Sequence, residues 1–337
     1  MWKKIFIYII VLFQQIIIIN LTFKFQYKNQ INEKKEYKSI DNEINRNIKI
    51  DYQNNNFSII RYTKCPTCGF FSYYLTYITC VKNLIINGYI PILDLKTFPN
   101  IFNKFKLNLS KENPWEYFFY QPFGLTLKDV IKYAKNINYI ECFPESSRPN
   151  NRNIYTKTVI LNFWHNFSKN YIPIKKNIIK ETEILIKKLF KDSLNILGIL
   201  IRGTDYISIK PKGHPIPPEP EIVIKDVKEF DNKYKYNSFF ISTEDNNIRN
   251  KLIKEFGNKI KYLLPYRYIK YDYKNKIFLA YNKNIGGNLK NLKIYLMNII
   301  ILSKCLDIIA CRTNGSSGTF IFTKGFRNFK IYYLGLY

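Results

Sequence analysis

Residues 196–201, Ile-Leu-Gly-Ile-Leu-Ile, are an apolar run with no polar interruption. A short run without alternation reads as a strand buried on both faces, as in a parallel sheet covered by helices. It gives way at once to Arg202-Gly203-Thr204-Asp205, so a permanent cation stands where the strand runs out. In open α/β sheets, ligands bind beyond the carboxyl ends of the strands. Arginine offers a rigid, always-charged fork that matches phosphate oxygens, and Asp205 is placed to orient that fork. The loop that follows holds Pro211, Gly213, Pro215, Pro217 and Pro218, and carries His214.

The rest of the second half alternates strand and helix. A helix is expected after Pro218-Glu219-Pro220, with proline in its first turn. Phe239–Ser242 reads as a strand, and Thr243-Glu244-Asp245 as the cap of a helix over 246–256 that stops at Gly257. A helix over 289–305 and a strand over 307–311 lead into Arg312-Thr313-Asn314-Gly315-Ser316-Ser317-Gly318. Read as a turn before a short helix at 319–323, this stretch gathers free backbone N–H groups, two hydroxyls and a positive dipole end on one spot. Gly315 and Gly318 would let a phosphate approach the backbone. Asn314, Gly315, Ser316, Ser317 and Gly318, facing Arg202, are therefore candidate residues for one phosphate site. Asp245 is a further candidate binding residue, with helix capping as its alternative.

Several chemistries lack their motifs. No Gly-x4-Gly-Lys-Ser/Thr loop is present, and no complete Gly-x-Gly-x-x-Gly follows the first strand, which argues against a P-loop nucleotidase or a common dehydrogenase. No Asp-x-Asp pair occurs to hold a metal-bridged nucleotide sugar. No metal or other cofactor is expected, and a diphosphate leaving group would be stabilised by fixed donors. The formal net charge of +28 comes with lysines scattered through an Ile-, Asn- and Tyr-rich chain. Scatter of that kind, without a basic face interleaved with aromatics, argues against a nucleic-acid partner.

The first half opens differently. Residues 1–23 are nearly all apolar after Lys3-Lys4 and approach the length of a bilayer span, so a single-pass membrane anchor is expected. Residues 24–56 read as a polar, flexible stem. Two α/β domains are expected to follow, over 57–192 and 193–337. A strand at 57–62, a helix over 69–87 stopped by Gly88 and a strand at 90–95 begin the first of them. Gly69 and Phe70, at the loop-to-helix junction, are possible donor or acceptor contacts, as is Glu116 in the aromatic block 113–123. Trp115, Tyr117, Phe118 and Tyr120 in that block can stack on sugars or fill a core. Residues 154–192 look helical. His165 reads as a satisfied, partly buried histidine or a catalytic one. Cys65-Pro66-Thr67-Cys68 reads as a redox pair, half a zinc site or a local disulfide.

The run Gly198 to Tyr206 resembles the strand-and-arginine motif of the fucosyltransferases that include the alpha-1,2-, alpha-1,6- and protein O-fucosyltransferases. Arg202 and Asp205 fall on that motif's Arg and Asp, while Leu200 stands where the family has His and Gly203 where it has a second Arg. Ser242-Thr243-Glu244-Asp245 and the Ser/Gly run 315–318 follow in the family's order, and the resemblance spans roughly residues 57–337. It implies an α/β architecture of the GT-B kind, two facing Rossmann-like doubly wound domains, with the donor held mainly by the second. It implies a metal-independent glycosyltransferase that moves fucose from GDP-fucose to a glycan or glycoprotein acceptor. Arg202 and Asp205 would be the catalytic residues, and His214 a replacement for the missing His. Loss of that His keeps open a non-catalytic glycan- or nucleotide-binding protein of the same fold. Flanking lysines favour a cytoplasmic catalytic part, whereas the resemblance implies the Golgi lumen.

Overall fold

The computed structural model describes residues 49–66, 68–103, 112–143, 149, 153–191, 193, 195–203, 206–207, 210–263, 271–272, 277–278 and 289–337. The expected anchor and most of the stem, and with them the membrane attachment, lie outside the described residues. Among the described residues no helix is long and apolar enough to cross a membrane. The last stem residues prove to be structured. Lys49–Tyr337 form one compact unit, the Tyr52 ring stacks on Phe57 at 5.6 Å, and the Tyr52 carbonyl accepts the Lys135 amide at 2.9 Å.

The fold is mixed α/β and built on two parallel sheets. The first is three-stranded, with β1 (Asn56–Arg61) between β2 (Ile90–Leu93) and β3 (Asn136–Glu141). Its crossover helix α1 (Phe70–Ile86) is buried over most of its surface, so its aromatic residues pack in every direction rather than along one stripe. Gly88 ends it with φ +78°, a left-handed conformation that glycine adopts without steric cost. The short α2 (Trp115–Phe118) and then α3 (Leu127–Tyr133) connect β2 to β3.

Three helices lead out of the first sheet: α4 (Asn153–Thr156), α5 (Thr158–Tyr171) and α6 (Lys176–Phe190). The single helical stretch expected over 154–192 is thus broken. Pro173 has no N–H to continue α5, and its carbonyl instead accepts the Tyr120 amide at 2.8 Å.

The second sheet is five-stranded. Its central strand is β4 (Ile196–Leu200), flanked on one side by β5 (Ser238–Ser242) and β6 (Ile260–Lys261), and on the other by β9 (Asp307–Cys311) and β10 (Asn328–Tyr332). The helices α7 (Pro220–Tyr234), α8 (Asn246–Phe256) and α9 (Leu289–Leu302) connect them, and a two-stranded antiparallel pair, β7 (Tyr271–Asp272) with β8 (Ile277–Phe278), precedes α9. One face of the sheet is closed by Leu197, Ile199, Phe239, Ile241 and Ile309 packed with Val223, Val227, Ile248 and Leu252. The uninterrupted apolar run 196–201 is explained by this: every residue of β4 is buried.

One helix departs from expectation. The Gly/Ser run is not a turn but the first half of α10 (Asn314–Ile321), and every residue of that helix after Asn314 is buried. It packs on α1, where a Cβ at Gly318 would lie 2.2 Å from the Phe71 ring. A Cβ at Gly315 would lie 2.5 Å from the Tyr295 hydroxyl. Both glycines serve close helix packing, not the approach of a phosphate. Gly318→Ala should therefore push Phe71 out of place and cost about 2 kcal/mol, the scale of overpacking a closed core. Urea denaturation checks this, and an unchanged midpoint would contradict the packing described.

Candidate functional site

Parallel pairing brings together the two stretches singled out in the sequence. Leu200 of β4 lies in register with Ala310 of β9, and also with Ser242 of β5. Arg202, Thr243-Glu244-Asp245 and Arg312-Thr313 therefore emerge side by side at one end of the sheet. The backbone of Arg202 hydrogen-bonds to the Cys311 sulfur, and burial pushes that thiol up to about 12, so it stays neutral and unreactive at physiological pH.

The group that orients Arg202 is Glu244. Its Oε1 lies 3.2 Å from the Arg202 Nε, with the carboxylate side chain only 9% exposed and the arginine 34%. The same oxygen accepts the Gly203 amide at 3.0 Å. The Arg202 guanidinium also lies over the Tyr206 ring, 5.0 Å from its centre, and Tyr206 meets the His214 ring edge to face at 5.2 Å. Asp205, expected in the orienting role, lies outside the described residues together with Thr204. The sequence showed Glu244 inside a helix-capping stretch but gave no sign that it would meet Arg202, because the two are neighbours only through strand pairing.

Asp245 is a helix cap. Its Oδ1 accepts the Asn247 and Ile248 amides at 2.8 and 3.2 Å, which satisfies two of the orphan donors of α8. It also explains Gly203, where a Cβ would come 2.5 Å from the Asp245 side chain. The family's second arginine could not stand at this position beside that cap.

Ser316 and Ser317 are wholly buried. Thr313 caps α10 and forms a reciprocal pair with Ser316: the Ser316 amide donates to the Thr313 hydroxyl, and the Thr313 amide to the Ser316 hydroxyl at 2.8 Å. Both serine hydroxyls also meet the Tyr155 hydroxyl of α4, at 3.0 and 2.9 Å. Their hydroxyls are thus committed to holding α10 and α4 together, and the expected phosphate contact through them is corrected. Asn314, at its start, is the one residue of α10 that is not buried. Among the described residues, the backbone N–H groups of Asn314 and Gly315 have no hydrogen-bond acceptor. Arg312, half-exposed with its guanidinium 5.8 Å from the Tyr333 ring, adds a cation at the same strand end.

The remaining candidates are dispersed. Phe70 is 3% exposed, in an aromatic cluster with Phe71, Phe102, Phe118 and Phe119, and is a core residue. Gly69 is exposed at the start of α1 with nothing near its Cβ position, so close approach does not explain it. Glu116 accepts the Leu127 amide at 2.8 Å and the Gln121 side chain at 3.0 Å. It anchors α3, which is an alternative to the acceptor-side contact expected of it. Trp115 and Phe118 are core, while Tyr117 is exposed. His165 bonds the Ile321 carbonyl at 2.9 Å, as a satisfied histidine. Cys65 and Cys68 form a disulfide, and Cys80 and Cys142 a second one. Among the described residues no group of His, Cys, Asp and Glu is arranged to hold a metal ion.

No protein-family model matches the chain, and no curated protein matches it. Among solved structures it is similar to a NodZ alpha-1,6-fucosyltransferase co-crystallised with GDP, at 12% identity and a TM-score of 0.44, over 80% of this chain and 91% of that one. It is similar to POFUT1 in complex with GDP, at 9% identity and a TM-score of 0.47, over 84% and 99%. A further match is a fucosyltransferase NodZ from Bradyrhizobium, at 12% identity and a TM-score of 0.44, over 80% and 92%. At this level of likeness no activity carries over, and the reading of the site rests on its residues.

Two outcomes follow from the buried serines. Ser317→Ala should cost about 1 kcal/mol, the usual net value of an intramolecular hydrogen bond. Equilibrium unfolding measures it. Burial also raises the Tyr155 hydroxyl from the ordinary tyrosine value near 10 to about 12. A raised folded value means that stability is full below pH 10 and falls as pH climbs from 10 toward 12. In Tyr155→Phe that share of the alkaline loss should vanish, giving a shallower decline in denaturation midpoint over the window.

Proposed function

We propose that the chain is a glycosyltransferase that uses a nucleoside-diphosphate sugar, with GDP-fucose as the donor indicated by the motif resemblance. The observation that carries this reading is Arg202, paired with a buried Glu244 and set against a tyrosine face, at the same end of one parallel sheet as the start of α10. A diphosphate seated there would meet a permanent cation and a positive helix end. As the bond from the anomeric carbon to the diphosphate breaks, negative charge grows on the leaving oxygen. Donors already in place stabilise that charge without reorganising. Glu244 is the positioning residue: it aims the fork and leaves the contact to Arg202. His214, through Tyr206, is placed to stiffen the same guanidinium.

The acceptor in this reading is a glycan or glycoprotein. Membrane attachment is proposed to run through residues 1–23, with the folded part on the oxidising, lumenal side. The support is the pair of disulfides, Cys65–Cys68 and Cys80–Cys142, since such bonds persist in secretory compartments and are rare in the cytosol.

Arg202→Ala should abolish thermal stabilisation by GDP and lower donor-dependent turnover by roughly 10²- to 10³-fold, the cost of removing one such donor. Arg202→Lys keeps the charge beside Glu244 and should retain part of the stabilisation. In the wild type, GDP binding is expected to be indifferent to EDTA. Wild-type turnover in Arg202→Ala would overturn the assignment; GDP binding with no transfer to any acceptor would favour the binding protein instead.

A further inference from the structure

The device that holds Arg202 occurs a second time. Arg61 ends β1, the central strand of the first sheet, as Arg202 follows β4, the central strand of the second. The Arg61 Nε donates to Asp94 Oδ2 at 3.0 Å. Asp94 comes from the carboxyl end of the neighbouring β2 and is fully buried, as Glu244 follows the neighbouring β5. The Arg61 guanidinium lies 4.4 Å from the centre of the Tyr139 ring, as that of Arg202 lies over Tyr206. Each sheet thus ends in an arginine fixed at one edge by a buried carboxylate and on one face by a tyrosine.

The surroundings say what Arg61 is fixed for. Asp94 has no capacity left: Oδ1 accepts the Lys96 and Thr97 amides at 2.8 and 3.1 Å, and Oδ2 accepts Arg61 and the Thr97 hydroxyl. Glu141, in register with Arg61 across β3, is turned to the Thr63 and Lys64 amides at 2.6 and 3.3 Å and to the Thr63 hydroxyl at 2.9 Å. Lys64 lies beside it, with its ammonium 4.3 Å from the Phe143 ring. The Arg61 side chain is 31% exposed. Among the described residues, its two Nη groups have no hydrogen-bond partner. A core ion pair would bury the whole fork. This one buries the Nε edge and presents the Nη pair to solvent at the end where α/β sheets bind ligands.

We infer that Arg61 is a second oxyanion site, which receives an acidic saccharide carrying a carboxylate or a phosphate. Two parallel N–H groups in a fixed plane match either group, and the exposed Tyr139 and Phe143 rings border the site. That this saccharide is the acceptor rests on the proposed function; the oxyanion site itself does not.

The full-length chain would be titrated with glucuronate, glucose 6-phosphate and glucose by ligand-observed NMR, with and without GDP. Binding of one or both acids but not of glucose is expected, and the preferred acid identifies the carboxylate or the phosphate. Arg61→Gln should weaken it at least tenfold, and Arg61→Lys should recover part of it. Tyr139→Leu, at an exposed position that does not touch Asp94, should weaken it about threefold and serves if Arg61→Gln fails to fold. Equal affinity in a folded Arg61→Gln, unchanged affinity in Tyr139→Leu, or equal binding of glucose would overturn the site. Arg202→Ala should leave acid binding intact. Acid binding without any GDP binding would thus defeat the proposed function and spare this inference, and the reverse pattern would do the opposite.

Discussion

The structure depends on the burial of α10. Its first turn is polar by composition, Asn-Gly-Ser-Ser-Gly, and a polar segment can be buried only when its hydrogen bonds are satisfied within. Thr313 and Ser316 satisfy each other reciprocally, and Ser317 and Tyr155 complete the set. The two glycines then let Phe71 and Tyr295 come against the helix without a Cβ in the way. Segments from both halves of the chain, α1, α4 and the loop after β9, are located by this one short helix. Its start stands at the same end of the sheet as Arg202, because Leu200 and Ala310 are in register.

Arginine anchoring is the second theme. A guanidinium free in solvent loses side-chain entropy when it binds, and a surface ion pair contributes little. Arg61 donates its Nε to the wholly buried Asp94, Arg202 is ion-paired through its Nε with the nearly buried Glu244, and each has a tyrosine over one face. That arrangement spends the ordering cost during folding, so the outward edge meets a ligand already aligned. It also explains why the positioning carboxylate comes from a neighbouring strand: only the sheet fixes both partners at once.

Much of the fold was legible in the chain. Apolar runs at 196–201 and 308–311 became interior strands because nothing polar interrupts them, and Gly88 and Gly257 stop helices where φ turns positive. Pro220 opens α7 as its missing N–H allows. Where local pattern misled, a packing demand decided. Residues 314–318 have every mark of a turn, yet the helix forms because Thr313 caps it and the core takes it in. Phe70, beside an exposed glycine, has the position of a ligand contact, and the aromatic cluster makes it core.

The sequence by itself determined that this is an α/β chain with a cation at the end of a buried strand, followed late in the chain by a Gly/Ser-rich run after another strand. Those are local facts, set by periodicity, capping and the chemistry of single side chains. The tertiary structure alone decided which carboxylate holds Arg202, that both serines face inward, and that Arg61 repeats the arrangement in the first sheet. Each of these is a contact between residues roughly 30 to 160 positions apart, set by parallel strand register and helix packing, and no local pattern along the chain encodes it.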